Sequence, residues 1–359
     1  MLKRNFIVIA GVVIGLVALV LAAAGNPPNM ALCAACFVRD MAGSLGLHRA
    51  NTVQYMRPEI IGIVLGAFVT SLATKEFRPR GGANTAVRFL LGFLVMVGAL
   101  VFLGCPIRLI LRLAAGDLNA FVALLGLIAG VFVGVKLLAG GYYSGRSNPE
   151  KGGIGGLLVP AAMVIFLLLL IAKPVFNPQA GGPLFFSKEG PGSLHAPLLF
   201  SLVGGLVVGV VAQRSRLCLV GGIRDLLLLR DFHLLKGFVS IFAVVFLGNL
   251  IMGKVNFAFA GQPIAHTAHL WNFLGMFLVG LASTLAGGCP LRQLILAGEG
   301  DYDAGMYVAG LFAGAAFAHN FMLAASPKGV TVYGQIAVIA GIIVAVIIAL
   351  VSREVYREG

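Results

Sequence analysis

One short sequence occurs twice in this chain and constrains its fold more than any other feature. Gly104-Cys105-Pro106, followed by Arg108, returns as Gly288-Cys289-Pro290, followed by Arg292. The apolar positions on both sides keep the same register without a gap, which indicates two copies of one structural unit. The chain is therefore expected to consist of two related halves.

The composition of the chain indicates whether these halves lie in water or in a membrane. The chain has 359 residues, of which 59% are hydrophobic and 11% charged, and its mean hydropathy is +1.00. This is more apolar than a soluble domain requires for one core, so we expect an all-α polytopic membrane protein. The net charge of +13 comes from Lys and Arg placed singly between apolar runs, which favours membrane topology and an anionic substrate over nucleic acid.

The apolar runs predict about ten transmembrane helices, five in each half, because each run approaches the 20 residues that a span needs. They lie at about residues 6–25, 59–73, 84–103, 118–138, 153–172, 196–212, 235–252, 269–287, 304–324 and 332–351. An odd number of spans per half inverts the second half relative to the first, as in many secondary transporters. The predicted organisation is a first repeat over 1–173, an outer-face linker over 174–195 and an inverted second repeat over 196–359.

The first run, residues 6–25, also resembles a signal peptide. We expect a retained helix, because the run at 196–212 occupies the same place in the second half and cannot be a signal peptide.

Basic residues predict which side of the membrane each loop faces. With a cytoplasmic N-terminus, the inner loops carry most of them: Lys75, Arg78, Arg80, Arg146, Lys151, Arg214, Arg216, Arg230, Arg353 and Arg357. The outer loops carry fewer: Arg49, Arg57, Lys188, Lys254 and Lys328. We therefore expect a multi-pass protein of the bacterial inner (cytoplasmic) membrane with both termini in the cytoplasm.

The Gly-Cys-Pro sequence predicts a helix that is broken inside the membrane. Proline is tolerated at the first position of a helix, so Pro106 should begin a short helix with Cys105 at its N-cap. Gly116 should close that helix, and Asp117 should cap the next span. The Cys105 thiol then lies at the positive end of a helix, where anions are attracted. The expected carboxylate partners of Arg108 and Arg292 are Asp117 and Asp301, respectively.

A second pair of short segments surrounds Cys33 and Cys218. Pro27-Pro28-Asn29 should break the chain, with Asn29 as the N-cap of a short segment over 30–47. Two expected ion pairs, Arg39 with Asp40 and Arg224 with Asp225, would anchor re-entrant helices. Cys36 has only Gly221 opposite it in the repeat. The spacing of Cys33 and Cys36 suits a dithiol metal site, but zinc needs four ligands, so we expect no metal or cofactor.

These motifs resemble the YeeE/YedE family of membrane proteins, which is associated with uptake of thiosulfate and related sulfur species. The stretches 57–62 and 76–82 are similar to the YedE-type branch, regarded as selenium transporters. The resemblance implies that Cys105, Cys218 and Cys289, with Cys33 as their symmetry mate, line the path of the ion. It also implies a small cytoplasmic carrier protein for sulfur or selenium as a partner.

The sequence thus predicts a transporter, not an enzyme, that imports a small reduced sulfur- or selenium-containing anion. The expected substrate-binding residues are Cys33, Cys105, Cys218, Cys289, Arg108 and Arg292. A membrane redox or sulfur-transfer protein that uses the cysteines covalently is an alternative, and a passive channel is another.

Overall fold

A computed structural model describes residues 2–145, 147–150, 153–173 and 183–353, with side chains from residue 5 onward. Three predicted inner-loop residues, Arg146, Lys151 and Arg357, and the linker residues 174–182 lie outside the described residues. The described part contains the helices α1 (Leu2–Ala23), α2 (Ala34–Ser44), α3 (Pro58–Ala73), α4 (Thr85–Phe102), α5 (Pro106–Leu113), α6 (Leu118–Ala139), α7 (Ile154–Ala172), α8 (Leu198–Ser215), α9 (Leu219–Leu229), α10 (His233–Ile251), α11 (His269–Leu285), α12 (Pro290–Gly298), α13 (Tyr302–Asn320) and α14 (Val332–Val351). Strands β1 (Arg80–Gly81) and β2 (Asn148–Pro149) form one small antiparallel sheet.

The helices fall into two length classes. Ten contain 16–22 residues, and the other four, α2, α5, α9 and α12, contain 8–11. Eight helical segments of the described chain are long and apolar enough to cross a membrane. The prediction of an all-α polytopic membrane protein is therefore confirmed. Helices α3 and α13 are not among the eight segments, so their crossing stays a prediction.

The helix breaks follow from local sequence. Pro106 begins α5 after Cys105 at the N-cap, and Gly116 takes a φ of +86° in the turn to α6, a conformation that favours glycine. Asp117 then caps α6 by accepting a hydrogen bond from the Asn119 N–H at 2.9 Å. The predicted helix break is confirmed, while its place inside the membrane stays a prediction. The predicted N-cap at Asn29 is wrong, because helix α2 begins only after Cys33.

The two halves pack through matching pairs of helices. Helix α6 packs on α11 and α13 on α4, while α3 packs on α8 and α10 on α1. Gly126 on α6 touches the backbone carbonyl of Phe273, and its repeat mate Gly310 touches that of Phe89. Only glycine leaves room for such close helix contact. Helices α7 and α14 depart from this pattern: α7 packs on α3, α12 and α13, whereas α14 packs on α4 and α11.

The loops contact one another in two separate groups. Among those predicted inside, β1 pairs with β2, and Tyr142 forms a bridge with Arg353. Among those predicted outside, Arg57 donates to carbonyls of residues 191 and 194, and Asn320 donates to that of Leu47. This grouping is what alternating spans require, while the cytoplasmic identity of either side and the inversion of the halves stay predictions.

Candidate functional site

Four cysteines occupy the N-caps of the four short helices. Cys33 precedes α2, Cys105 precedes α5, Cys218 precedes α9 and Cys289 precedes α12. All are free thiols and at most 5% exposed, as is the fifth cysteine, Cys36. Each sulfur therefore lies at a helix end where backbone N–H groups have no partner within the helix.

The contacts sort these N-cap cysteines into one pair per half. The Sγ atoms of Cys33 and Cys105 lie 3.6 Å apart, and the Cys289 N–H donates to the Cys218 Sγ over 3.4 Å. Cys33 also accepts a hydrogen bond from the Cys36 N–H at 3.3 Å, and Cys218 accepts one from Gly221, the repeat mate of Cys36, at the same distance. Helix α12 packs on α2, and α5 packs on α9, so the short helices of the two halves are neighbours.

Arg108 is a fully buried cation beside the first cysteine pair. Its guanidinium donates to backbone carbonyls, from Nε to Asn29 at 3.1 Å, from Nη2 to Ile264 at 3.0 Å and from Nη1 to Leu103. Its Nη1 also lies 3.6 Å from the Cys36 Sγ. No carboxylate among the described residues lies within salt-bridge distance. A buried charge without a counter-ion is costly, so this position favours an anion.

Arg292, the repeat mate of Arg108, has a different environment. Its guanidinium forms an ion pair with Glu299 at 3.1 Å, and the two side chains are 13% and 11% exposed. The second half therefore carries the same cation, but with its charge already balanced.

The expected carboxylate partners of these two arginines are wrong. Asp117 pairs with Arg112 at 2.6 Å, because Arg112 lies one turn further along α5 and thus nearer to the turn at Gly116. Asp301 pairs with Arg80 from the β1 loop at 2.7 Å.

The remaining ion pairs lie at the short helices α2 and α9. Arg39 lies 2.6 Å from Asp40, and Arg224 lies 2.8 Å from Asp225. Asp40 also accepts from Arg57 at 2.8 Å, and all three side chains of that cluster are buried. Sequence reasoning assigned Arg57 only to an outer loop and missed this second cation.

A polar cavity of about 460 Å³ opens on the loops predicted outside. Asn29 lies in its wall, and the Asn29 carbonyl is the group that binds the Arg108 guanidinium. Its other polar lining residues are Asn249, Lys254, Asn256 and Gln262. Nothing in the spacing of these residues predicted a shared cavity, because Asn29 precedes α2 while the others lie at the end of α10 and in the loop after it.

The profile of the Sulphur transport family matches residues 2–133 and 214–358. The chain belongs to this family. The match confirms the resemblance to YeeE/YedE proteins, and it includes all four short helices.

Two relatives show local similarity. The thiosulfate transporter TsuA of Escherichia coli (strain K12) is 31% identical over 110 residues, which cover 30% of this chain and 30% of that protein. The thiosulfate transporter TsuA of Spirochaeta thermophila (strain ATCC 700085 / DSM 6578 / Z-1203) is 32% identical over 99 residues, covering 28% and 29%. The matched part of the chain thus spans less than a third of either relative.

Proposed function

We propose that this protein imports a thiosulfate-like anion, which passes from the side of Arg108 to the side of Arg292 through the two cysteine pairs. The observation that carries the proposal is Arg108, a fully buried cation with no carboxylate partner in the described chain, next to thiols at helix N-termini. The named activity of the two TsuA relatives supports the sulfur substrate.

The chemistry of the site suits a soft anion. Helix N-termini and the arginine attract negative charge, while thiols are weak hydrogen-bond donors to a terminal sulfur or selenium. Weak donors placed in series let an ion leave each position as readily as it arrives. The polar cavity beside Asn29, with Lys254 in its wall, is the entrance in this scheme.

Import of an anion needs a source of energy. Moving one negative charge inward against an inside-negative potential costs about 2.3 kcal/mol per 100 mV, and a dianion costs twice as much. Proton coupling, a steep gradient or rapid removal by a cytoplasmic sulfur- or selenium-accepting protein can supply this energy. With the membrane potential held at zero, collapse of the pH gradient should therefore slow uptake in the first case and leave a passive channel unaffected.

Selenium-bearing anions are proposed as further substrates on the basis of the resemblance to the YedE-type branch. Selenosulfate differs from thiosulfate by one atom, so it should compete for uptake. Selenite has no terminal soft atom and should compete less.

The test is uptake of ³⁵S-labelled thiosulfate by proteoliposomes containing the purified protein, compared with empty liposomes. Uptake by the proteoliposomes but not by the empty liposomes supports the proposal. Equal uptake by the two overturns it. Cys105→Ser and Cys289→Ser keep a small hydrogen-bonding group, so reduced but measurable uptake supports passage by hydrogen bonding. Tyr142→Phe, which alters a buried side chain in the loop after α6, is the control.

The same variants test the covalent alternative, which the contact between Cys33 and Cys105 favours. A redox or sulfur-transfer protein would be supported if both Ser variants lost all uptake and if uptake by the wild type depended on an added thiol reductant. Full uptake in both would exclude the cysteine path.

A further inference from the structure

Two buried hydroxyl groups, those of Tyr307 and Ser283, have no hydrogen-bond partner among the residues that the structure describes. Tyr307 on α13 is completely buried, and so is Ser283 in the last turn of α11. Buried polar groups are nearly always satisfied, so an unpaired pair points to a missing ligand.

Their position joins them to the cysteine site. Helix α13, which carries Tyr307, packs on α12 and on α2, the short helices that begin after Cys289 and Cys33. The Ser283 carbonyl accepts the N–H of Gly288 at 2.9 Å, immediately before Cys289. Both residues thus belong to helix segments that adjoin the N-cap cysteines.

The repeat shows that the fold does not need these hydroxyls. Ala99 and Ala123 stand at the equivalent positions of the first half, and both are fully buried. The Ala99 carbonyl accepts the N–H of Gly104 at 2.7 Å, so it performs the same backbone role as Ser283. The side chain of Ser283 therefore adds something that the helix break itself does not require.

We infer that Tyr307 and Ser283 donate hydrogen bonds to the oxygen atoms of the transported anion while the cysteine thiols contact its sulfur or selenium. The inference rests on the proposed function and narrows the substrate class. The substrate then carries both a soft terminal atom and oxygens, as thiosulfate and selenosulfate do. An ion with only the soft atom, such as thiocyanate, leaves the two hydroxyls unpaired and binds more weakly.

The test measures labelled thiosulfate uptake and thermal unfolding of purified Tyr307→Phe and Ser283→Ala. Each loses a donor to a charged group, so we expect KM to rise about tenfold or more with little change in the maximal rate. The melting temperature without thiosulfate should equal or exceed that of the wild type, because an unsatisfied hydroxyl has been removed. The rise in melting temperature on adding thiosulfate should shrink.

Tyr142→Phe is the matched control, since the Tyr142 hydroxyl is also buried and unpartnered but lies in the loop after α6. It should leave KM unchanged. The inference is overturned if the two site variants keep the wild-type KM and thiosulfate stabilisation, or if they melt lower without ligand, which would mean a structural role. Absence of uptake in the wild type would instead contradict the proposed function.

Discussion

The two halves of the site share a backbone and differ in charge. On the side predicted to be outer, Arg108 is buried with no carboxylate of the described residues in salt-bridge range, and Cys36 provides an extra thiol beside it. On the side predicted to be inner, Arg292 is paired with Glu299, and Gly221 stands where Cys36 would be. The helix breaks, caps and glycine contacts are nearly the same on both sides. The difference therefore lies in the side chains that meet the ion.

This difference has a simple electrostatic meaning. An unbalanced arginine binds an anion without first losing a partner, whereas a paired arginine must share its charge with a carboxylate. We expect the outer position to hold the anion more tightly and the inner position to release it. Substitutions at matched positions of the two halves test this difference.

The largest difference in the free energy of unfolding is expected between Asp40→Asn and Asp225→Asn. Asp40 balances two buried arginines, so its loss leaves buried charges unpaired and should destabilise the protein by about 3–5 kcal/mol. Asp225 and Arg224 are 21% and 36% exposed, so the matched change should cost about 1 kcal/mol or less. Unfolding of both variants in detergent measures the effect, and equal losses would show that burial does not distinguish the two ion pairs.

Arg108→Gln and Arg292→Gln form the next comparison. Loss of the unbalanced cation should weaken thiosulfate binding about 100-fold, the upper range for a hydrogen bond to a charged group. Arg292→Gln should weaken it only about threefold, because Glu299 already offsets much of that charge. Isothermal titration calorimetry gives the two dissociation constants. Equal dissociation constants for the two variants would contradict the proposed difference between Arg108 and Arg292.

Gly126→Ala and Gly310→Ala address what the halves have in common. A methyl group at either position meets the backbone of the facing helix, so each change should destabilise by about 1–3 kcal/mol, and by similar amounts. Gly305→Ala on α13 is the control, since its methyl group meets only the Val159 side chain. Melting temperatures compare the three, and unequal effects at Gly126 and Gly310 would count against equivalent helix contacts.

The smallest effect is expected for Cys36→Gly, which gives the first half the residue of the second. It removes one sulfur contact from Arg108 and leaves the charge in place, so the KM for thiosulfate should change about threefold or less. A rise in thiosulfate affinity would reveal Cys36 as a competing counter-ion of Arg108. A complete loss of uptake would place Cys36 in the path itself.

Much of the fold was predictable because helix starts and caps depend on residues that are close together in the sequence. Pro106 and Pro290 begin the short helices α5 and α12, and Asp117 and Asp301 cap the helices that follow, α6 and α13. These roles depend only on neighbouring backbone groups. The repeat then located the second copy of each break.

The partners of the charged residues were not predictable in the same way. Arg80 and Asp301 are 221 residues apart, and Arg108 and Cys36 are 72 residues apart. Asp117 pairs with Arg112 because Arg112 lies one helical turn nearer to Asp117 than Arg108 does, and the Arg108 guanidinium donates to backbone carbonyls instead. The unpaired hydroxyls of Tyr307 and Ser283 likewise required tertiary structure, although their alanine mates in the repeat were a signal available from sequence.

The most direct test of the cysteine path is the position of the anion itself. Crystals grown with selenosulfate can be measured at the selenium absorption edge, where the anomalous signal marks the soft atom. We predict a selenium peak in contact with the sulfur atoms of the N-cap cysteines, between Arg108 and Arg292. A peak found only in the outer cavity near Lys254, or on a lipid-facing surface, would contradict the account.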